Sequence, residues 1–165
     1  MAHIRTLTFA AMLMATPVLA AGQAAAGGTI HASLWDNGGT MDMSKSMGMM
    51  MGSKMDMMKA PMAIKIDKNI VTAGKVTFVV KNISKETIHE MLVAPVKDKD
   101  TLLPFVEADN KVNEEKSGDL GEVSELDPGK NGTLTVALKP GKYLLICNVA
   151  GHFMAGMWTT FEVTK

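Results

Sequence analysis

Short runs of alternating hydrophobic and polar residues recur along most of the chain. The first is TIHASLW, Thr29 to Trp35, in which Ile30, Ala32 and Leu34 fall on one face. A two-residue period of this kind is typical of a strand with one buried face. We therefore predict that the chain is built from strands, starting at this segment.

The same kind of pattern continues from position 63 onward. Strand-like segments there are AIKID, KVTFVVKN, ETIHEMLVAPV, GTLTVAL, GKYLLIC and MWTTFEVTK. Turn signals separate the later ones, namely DPGKNG at 127–132 and KPGK at 139–142. No segment of useful length has the helical period. Regularly spaced short strands with Pro-Gly turns predict an all-β protein, a Greek-key β-sandwich of about seven to eight strands.

The connection at 97–127 interrupts this regularity. It contains ten acidic and four basic residues and lacks a clear period. We predict a long connection with at most one helical turn. It is either a solvated loop or an acidic face that docks a basic partner.

The first 21 residues have the pattern of a secretory signal peptide. Arg5 precedes a short apolar run, which Pro17 and small residues follow, so we expect cleavage near Ala20 or Ala21. The run is too short to span a bilayer, and we expect no stable membrane insertion. Residues 22–28 would then form a linker and 29–165 one domain. The predicted location is the periplasm.

Charge and cysteine content limit the classes of function that fit this chain. Seventeen basic and seventeen acidic residues cancel, which does not favour nucleic acid as a partner. Cys147 is the only cysteine, so no internal disulfide can form. A lone thiol in an oxidising compartment is open to damage unless it is buried or bound to a metal.

Methionine is concentrated in one segment, residues 41–62, where ten of 22 residues are methionine. We predict a flexible, low-complexity insertion. Thioethers are soft ligands that select Cu(I), so the segment could capture additional Cu(I). Alternatively, its methionines cover an apolar surface or act as oxidation sinks.

The segment CNVAGHFMAGM places Cys147, His152 and Met157 at intervals of five residues. A thiolate, two imidazoles and a weak axial thioether form the His₂Cys-Met set of blue copper sites. The second imidazole would come from His31 or His89. His89 shares a strand face with apolar residues, whereas His31 is expected to face solvent. Taken singly, each residue could be ordinary core or surface.

The segment PGKYLLICNVAGHFMAGMWTTFEV resembles the C-terminal copper loop of cupredoxins, the plastocyanin/azurin-like type 1 blue copper proteins. The likeness covers roughly residues 63–165 and includes HEMLV, which resembles the strand of the first histidine ligand. It implies a cupredoxin-like sandwich holding one copper per chain. The implied ligands are His89, Cys147, His152 and Met157.

Two positions depart from the family pattern. Ala150 stands where proline often precedes Gly-His, which should loosen the loop slightly. Glu90 stands where Asn or Ser often follows the first histidine. In the family the backbone N–H at that position braces the cysteine sulfur, and Glu90 can still supply it.

The resemblance also implies how electrons enter and leave. The edge of His152 would reach the surface in an apolar patch, to which a redox partner such as a cytochrome or oxidase would dock. The patch residues would be Val149, Ala150, Phe153, Met154 and Ala155.

The leading interpretation is a monomeric one-electron carrier. The alternative is a periplasmic copper-handling protein for Cu(I) capture, delivery or resistance, which the methionine segment favours. We do not expect an enzyme. After the predicted leader only His31, His89 and His152 remain, too few histidines for a second, catalytic copper.

Overall fold

The computed structural model of the chain describes residues 26–38, 60–96 and 103–165. The predicted signal peptide and the methionine-rich segment up to residue 59 lie outside these ranges. The described residues form strands and one four-residue helix. The strands are β1 (Ala26–Asp36), β2 (Met62–Ile66), β3 (Ile70–Thr72), β4 (Gly74–Asn82), β5 (His89–Val96), β6 (Phe105–Val106), β7 (Lys111–Val112), β8 (Glu122–Leu126), β9 (Asn131–Leu138), β10 (Gly141–Ile146) and β11 (Trp158–Thr164); the helix is α1 (Glu114–Ser117).

Nine of these strands form two sheets that pack face to face. The first sheet has the order β2-β1-β4-β9 and the second the order β3-β11-β10-β5-β8. Most neighbours are antiparallel, while β1–β4 and β3–β11 are parallel pairs. β6 and β7 form a small separate hairpin. The predicted all-β sandwich is confirmed.

The main core lies between the sheets and follows the alternation seen in the sequence. Ile30 and Leu34 of β1 are fully buried, as predicted. The Phe78 ring of the first sheet meets the Phe161 ring of the second edge-on, with centroids 5.5 Å apart. Such aromatic pairs add packing energy to the apolar area that they bury. The contact ties the centres of the two sheets together.

A second apolar cluster lies on the outer face of the second sheet. Leu92, Leu144 and Ile146 are fully buried there, beside Val112 of β7 and Phe153. β5 and β10 are therefore covered on both faces. This explains why MLVA and YLLIC are continuous hydrophobic runs and not alternating ones.

The boundaries differ from prediction in several places. β1 begins at Ala26, inside the predicted 22–28 linker. Met62, predicted as the end of a flexible insertion, is instead the fully buried first residue of β2. The acidic connection holds α1, as expected, but also β6, β7 and β8. Within β8 only Val123 is buried, so its alternation is weak. Among the described residues, no helix is long and apolar enough to cross a membrane.

Candidate metal centre

His89, Cys147 and His152 come together as one buried cluster. Their ligand atoms all lie within 4.8 Å of one another. The two Nδ1 atoms are 3.2 Å apart, and Cys147 Sγ is 3.4 Å from His152 Nδ1 and 3.9 Å from His89 Nδ1. His89 and Cys147 are fully buried. Three of the four predicted ligands thus converge on one point.

Adjacent strands bring these side chains together. His89 is the first residue of β5, and Cys147 follows the last residue of β10. β5 and β10 are antiparallel neighbours, with Leu92 paired to Ile146. The start of one strand therefore lies beside the end of the other. His152 comes from the connection between β10 and β11.

The connection after Cys147 is closed by its own backbone hydrogen bonds. The His152 N–H donates to the Val149 carbonyl at 2.9 Å, and the Met157 N–H donates to the His152 carbonyl at 3.0 Å. Gly151 and Gly156 have φ of 84° and 93°, a region that favours glycine. These two glycines allow the tight curl that returns His152 to the thiol.

Met157 is fully buried at the end of this loop, directly before β11. The Cys147 N–H donates to the Met157 carbonyl at 3.0 Å. The backbones of the predicted thiolate and thioether ligands are thus joined directly. The axial role of the Met157 sulfur remains a proposal.

Burial keeps the metal-free cluster uncharged. Desolvation raises the pKa of the Cys147 thiol to about 12. Desolvation, with repulsion from His89, lowers the pKa of His152 to about 4. Desolvation also lowers the pKa of His89, although Asp36 opposes this. At neutral pH the metal-free site therefore holds a thiol and two neutral imidazoles.

This donor set fits a soft or borderline metal ion. Two imidazole nitrogens and one thiolate suit copper in both oxidation states. A bound cation would compensate the charge of the thiolate, which burial alone disfavours. The residues present therefore fit a type 1 copper site.

Glu90 contributes its backbone N–H, which donates to Cys147 Sγ at 3.4 Å. Its side chain is buried as well, because the second cluster covers the outer face of β5. Among the described residues its Oε1 has no hydrogen-bond partner. Desolvation raises the pKa of this carboxyl to about 7. The burial of this side chain was not predicted from the sequence.

Two further residues next to the cluster were missed by sequence analysis. Asp36 ends β1, and its Oδ2 is 3.0 Å from His89 Nε2. Burial raises the pKa of Asp36, but hydrogen bonds, the largest from Ser84, outweigh this and hold it below its usual value. Asn148 accepts a hydrogen bond from the Val112 N–H at 2.7 Å and donates to the Val112 carbonyl at 3.0 Å. No short sequence motif places Asp36 beside His89 or Asn148 beside Val112. These contacts therefore become apparent only in the folded structure.

The predicted apolar patch around His152 needs correction. Phe153 and Ala155 are buried and belong to the two cores, so they do not line an exposed surface. Ala150 is exposed and Val149 is half-buried. His152 itself is 6% exposed. His31 is solvent-facing, as predicted, and lies outside the cluster.

A two-sheet sandwich with a buried His-Cys-His cluster at one end of its second sheet has the architecture of a cupredoxin. Among solved structures, auracyanin B shares 18% identity with this chain and superposes with a TM-score of 0.55 over 87% of this chain and 100% of its own. Rusticyanin from Thiobacillus ferrooxidans shares 15% identity, with a TM-score of 0.50 over 82% of this chain and 77% of its own. Reduced rusticyanin gives 16% identity and a TM-score of 0.50, over 82% and 79%.

These superpositions show a common fold, the cupredoxin fold that the sequence resemblance implied. No protein-family model matches the chain. No curated protein matches it either.

Proposed function

We propose that the protein is a periplasmic one-electron carrier with a single type 1 copper. The proposed ligands are His89, Cys147 and His152, with Met157 in the axial position. The observation that carries the proposal is the convergence of three buried ligand atoms within 4.8 Å. Copper bound there would supply a Cu(I)/Cu(II) couple, which accepts and returns one electron.

The protein's own contribution is a rigid ligand frame. Cys147 is fixed by the Glu90 N–H and by its own bond to the Met157 carbonyl. His89 and Cys147 sit at the ends of neighbouring strands, which cannot separate without breaking the sheet. A frame that holds the same ligands for both oxidation states needs little rearrangement when an electron moves. Such a frame favours electron transfer over catalysis.

Electron exchange would take place at the edge of His152. This residue is nearly buried and lies next to the exposed Ala150 and the half-buried Val149. A small apolar surface around a slightly exposed ligand suits brief docking to a redox protein such as a cytochrome or oxidase. We propose this smaller surface in place of the five-residue patch. The protein would act there as a monomer.

The test is an optical and electron paramagnetic resonance titration of the purified protein with Cu(II), beside Cys147→Ser. We expect an intense copper–thiolate band at one copper per chain in the wild type and its loss in the variant. Ser124→Ala, which removes an exposed hydroxyl on β8 that hydrogen-bonds to Glu122, should keep the band. If the wild type binds Cu(II) with no thiolate band, the carrier proposal is wrong.

A second candidate function is Cu(I) capture by the methionine-rich segment, which would make the protein a copper-handling protein. Ten methionines among residues 41–62 favour it, because thioethers select Cu(I). Met62 is buried in β2, so the candidate ligands are the nine methionines up to residue 58. Cu(I) titration would test this. Replacing those nine by leucine should lower the stoichiometry to one, and an unchanged stoichiometry would exclude the idea.

A further inference from the structure

The Asp36 carboxylate lies behind His89, on the side of the imidazole that faces away from the cluster. His89 Nε2 is 3.0 Å from Asp36 Oδ2, while His89 Nδ1 faces Cys147 and His152. The side chains of His89 and Asp36 are 0% and 6% exposed. Asp36 ends β1 of the first sheet and His89 begins β5 of the second, so the contact also links the two sheets.

The Asp36 carboxylate is held in place by several donors. The Gly38 N–H donates to its Oδ1 at 2.8 Å. The side chains of Ser84 and Thr87 also hydrogen-bond to it. Ser84 Oγ in turn accepts the Thr87 N–H at 3.0 Å, which orders the loop before β5. The carboxylate is therefore oriented by the loop and not by the imidazole alone.

This arrangement determines which nitrogen of His89 carries the proton. A neutral imidazole has one N–H and one acceptor nitrogen, and an ionised carboxylate only accepts. The proton therefore stays on Nε2, between His89 and Asp36. The Nδ1 lone pair then points toward Cys147 and His152, where a metal would bind. A carboxylate bonded to a ligating histidine also makes that imidazole more basic and strengthens its donation to a metal.

We propose that Asp36 is a positioning residue of the copper site that sets the balance between Cu(II) and Cu(I). It would fix the His89 ring with Nδ1 toward the metal. Its negative charge would make the His89 imidazole a stronger electron donor. Stronger donation would favour Cu(II), the more highly charged ion, and lower the reduction potential. This inference rests on the proposed copper site and adds a residue distant in sequence from all four ligands.

The test compares wild type and Asp36→Asn by reduction potential and by competitive titration with Cu(II) and Cu(I). The amide oxygen of asparagine can still accept from Nε2, so the ring stays in place while the charge is lost. We expect the ratio of Cu(II) to Cu(I) affinity to fall about 10-fold, which raises the potential. The copper–thiolate band should persist.

The matched control is Asp67→Asn. Asp67 lies in the turn after β2, and its Oδ1 accepts the His31 N–H at 2.8 Å. This variant makes the same charge change away from the cluster, at a carboxylate that accepts its hydrogen bond from a backbone N–H and not from an imidazole. It should leave the affinity ratio at the wild-type value. An equal change in both variants would mean that net charge, not the His89 contact, sets the ratio, and would overturn the inference.

A second measurement remains valid if Asp36→Asn does not fold. Nitrogen-15 NMR of histidine-labelled, metal-free wild type at neutral pH should show the His89 proton on Nε2, protected from exchange. A proton on Nδ1 would overturn the inference. The two proposals also fail separately. A wild type without a copper–thiolate band contradicts the proposed function. A wild type with the band and an Asp36→Asn variant with an unchanged affinity ratio contradicts only the role of Asp36.

Discussion

The backbone N–H of Glu90 donates to Cys147 Sγ at 3.4 Å, so the strand that carries His89 also braces the thiol. Because the donor belongs to the backbone, this contact does not depend on the side chain at position 90. The Glu90 carboxyl is nevertheless buried, next to charged groups on three elements: Lys111 of β7, Glu114 of α1, and Glu122 and Glu125 of β8. The Glu90 side chain can therefore be replaced without removing the backbone hydrogen bond to Cys147 Sγ.

We expect this carboxyl to make the stability of the metal-free protein depend on pH. Glu90 has a pKa of about 7 in the folded state against a usual value of 4.5. As pH rises through this interval the unfolded chain loses its proton first, so the free energy of unfolding falls. Glu90→Gln should remove about 2 kcal/mol of this fall, after allowance for solvent screening. Urea denaturation at several pH values measures it.

The control for this prediction is Glu162→Gln, an exposed glutamate on β11. His89 and His152 also titrate in the metal-free protein, so the informative quantity is the difference between wild type and variant at each pH. Glu162→Gln should follow the wild-type curve. If Glu90→Gln also follows it, the Glu90 carboxyl is not strained by burial.

Met157→Leu tests the axial ligand. Leucine has nearly the same volume as methionine, so the loss of stability should stay below about 1.5 kcal/mol. The missing thioether should raise the reduction potential, since an axial donor helps to stabilise Cu(II). Voltammetry of the copper-loaded protein measures this. Met62→Leu makes the same exchange at another fully buried methionine and should not shift the potential. Equal potentials in all three proteins would exclude an axial Met157.

The sequence predicted the local part of the site well. Cys147, His152 and Met157 lie within one loop, where spacing, glycines and the following strand all act over a few residues. His89 was found because an inward histidine in an apolar strand is conspicuous. The sandwich followed from the alternation of β1, β4 and β9, in which more buried and more exposed positions alternate with a period of two.

The missed features depend on contacts between distant segments. Asp36 meets His89 across 53 positions, and no short motif encodes that pairing. The burial of Glu90 and Phe153 follows from the connection that covers the outer face of the second sheet. β6 and β7 have two residues each, too short for any periodic pattern. An irregular, acidic segment therefore looked like a solvated loop although part of it completes a core.

Asn148 should prove important for the stability of the copper loop. Its side chain bonds to both backbone groups of Val112 and donates to Glu114 Oε1 at 2.7 Å. Asn148→Ala leaves buried groups unpaired, which costs about 1–3 kcal/mol for each group. We expect a loss of roughly 2–4 kcal/mol in denaturant unfolding of the metal-free protein and faster release of copper to a chelator.

Asn113→Ala is the matched control for Asn148→Ala. Asn113 caps α1 by accepting the Lys116 N–H at 2.9 Å, and its removal should cost about 1 kcal/mol. The hydrogen bond of its side chain is to the backbone of α1, so copper release should keep the wild-type rate. If both variants release copper at that rate, Asn148 stabilises the fold without holding the loop.

Asn82 should couple the stability of the fold to the geometry of His89. It is fully buried at the end of β4, and its Nδ2 donates to the Thr87 and Leu126 carbonyls at 2.8 and 2.7 Å. Asn82→Ala leaves both carbonyls unpaired and frees the loop before β5, so we expect a loss of about 2–4 kcal/mol in denaturant unfolding.

The loosened loop also carries Ser84 and Thr87, so the copper affinity of Asn82→Ala should fall together with its stability. Asn131→Ala, an exposed position at the start of β9, should change neither by more than about 0.5 kcal/mol. An Asn82→Ala protein that loses stability but binds Cu(II) as tightly as wild type would show that His89 is positioned by its strand alone. In that case the loop would contribute to folding and not to the metal centre.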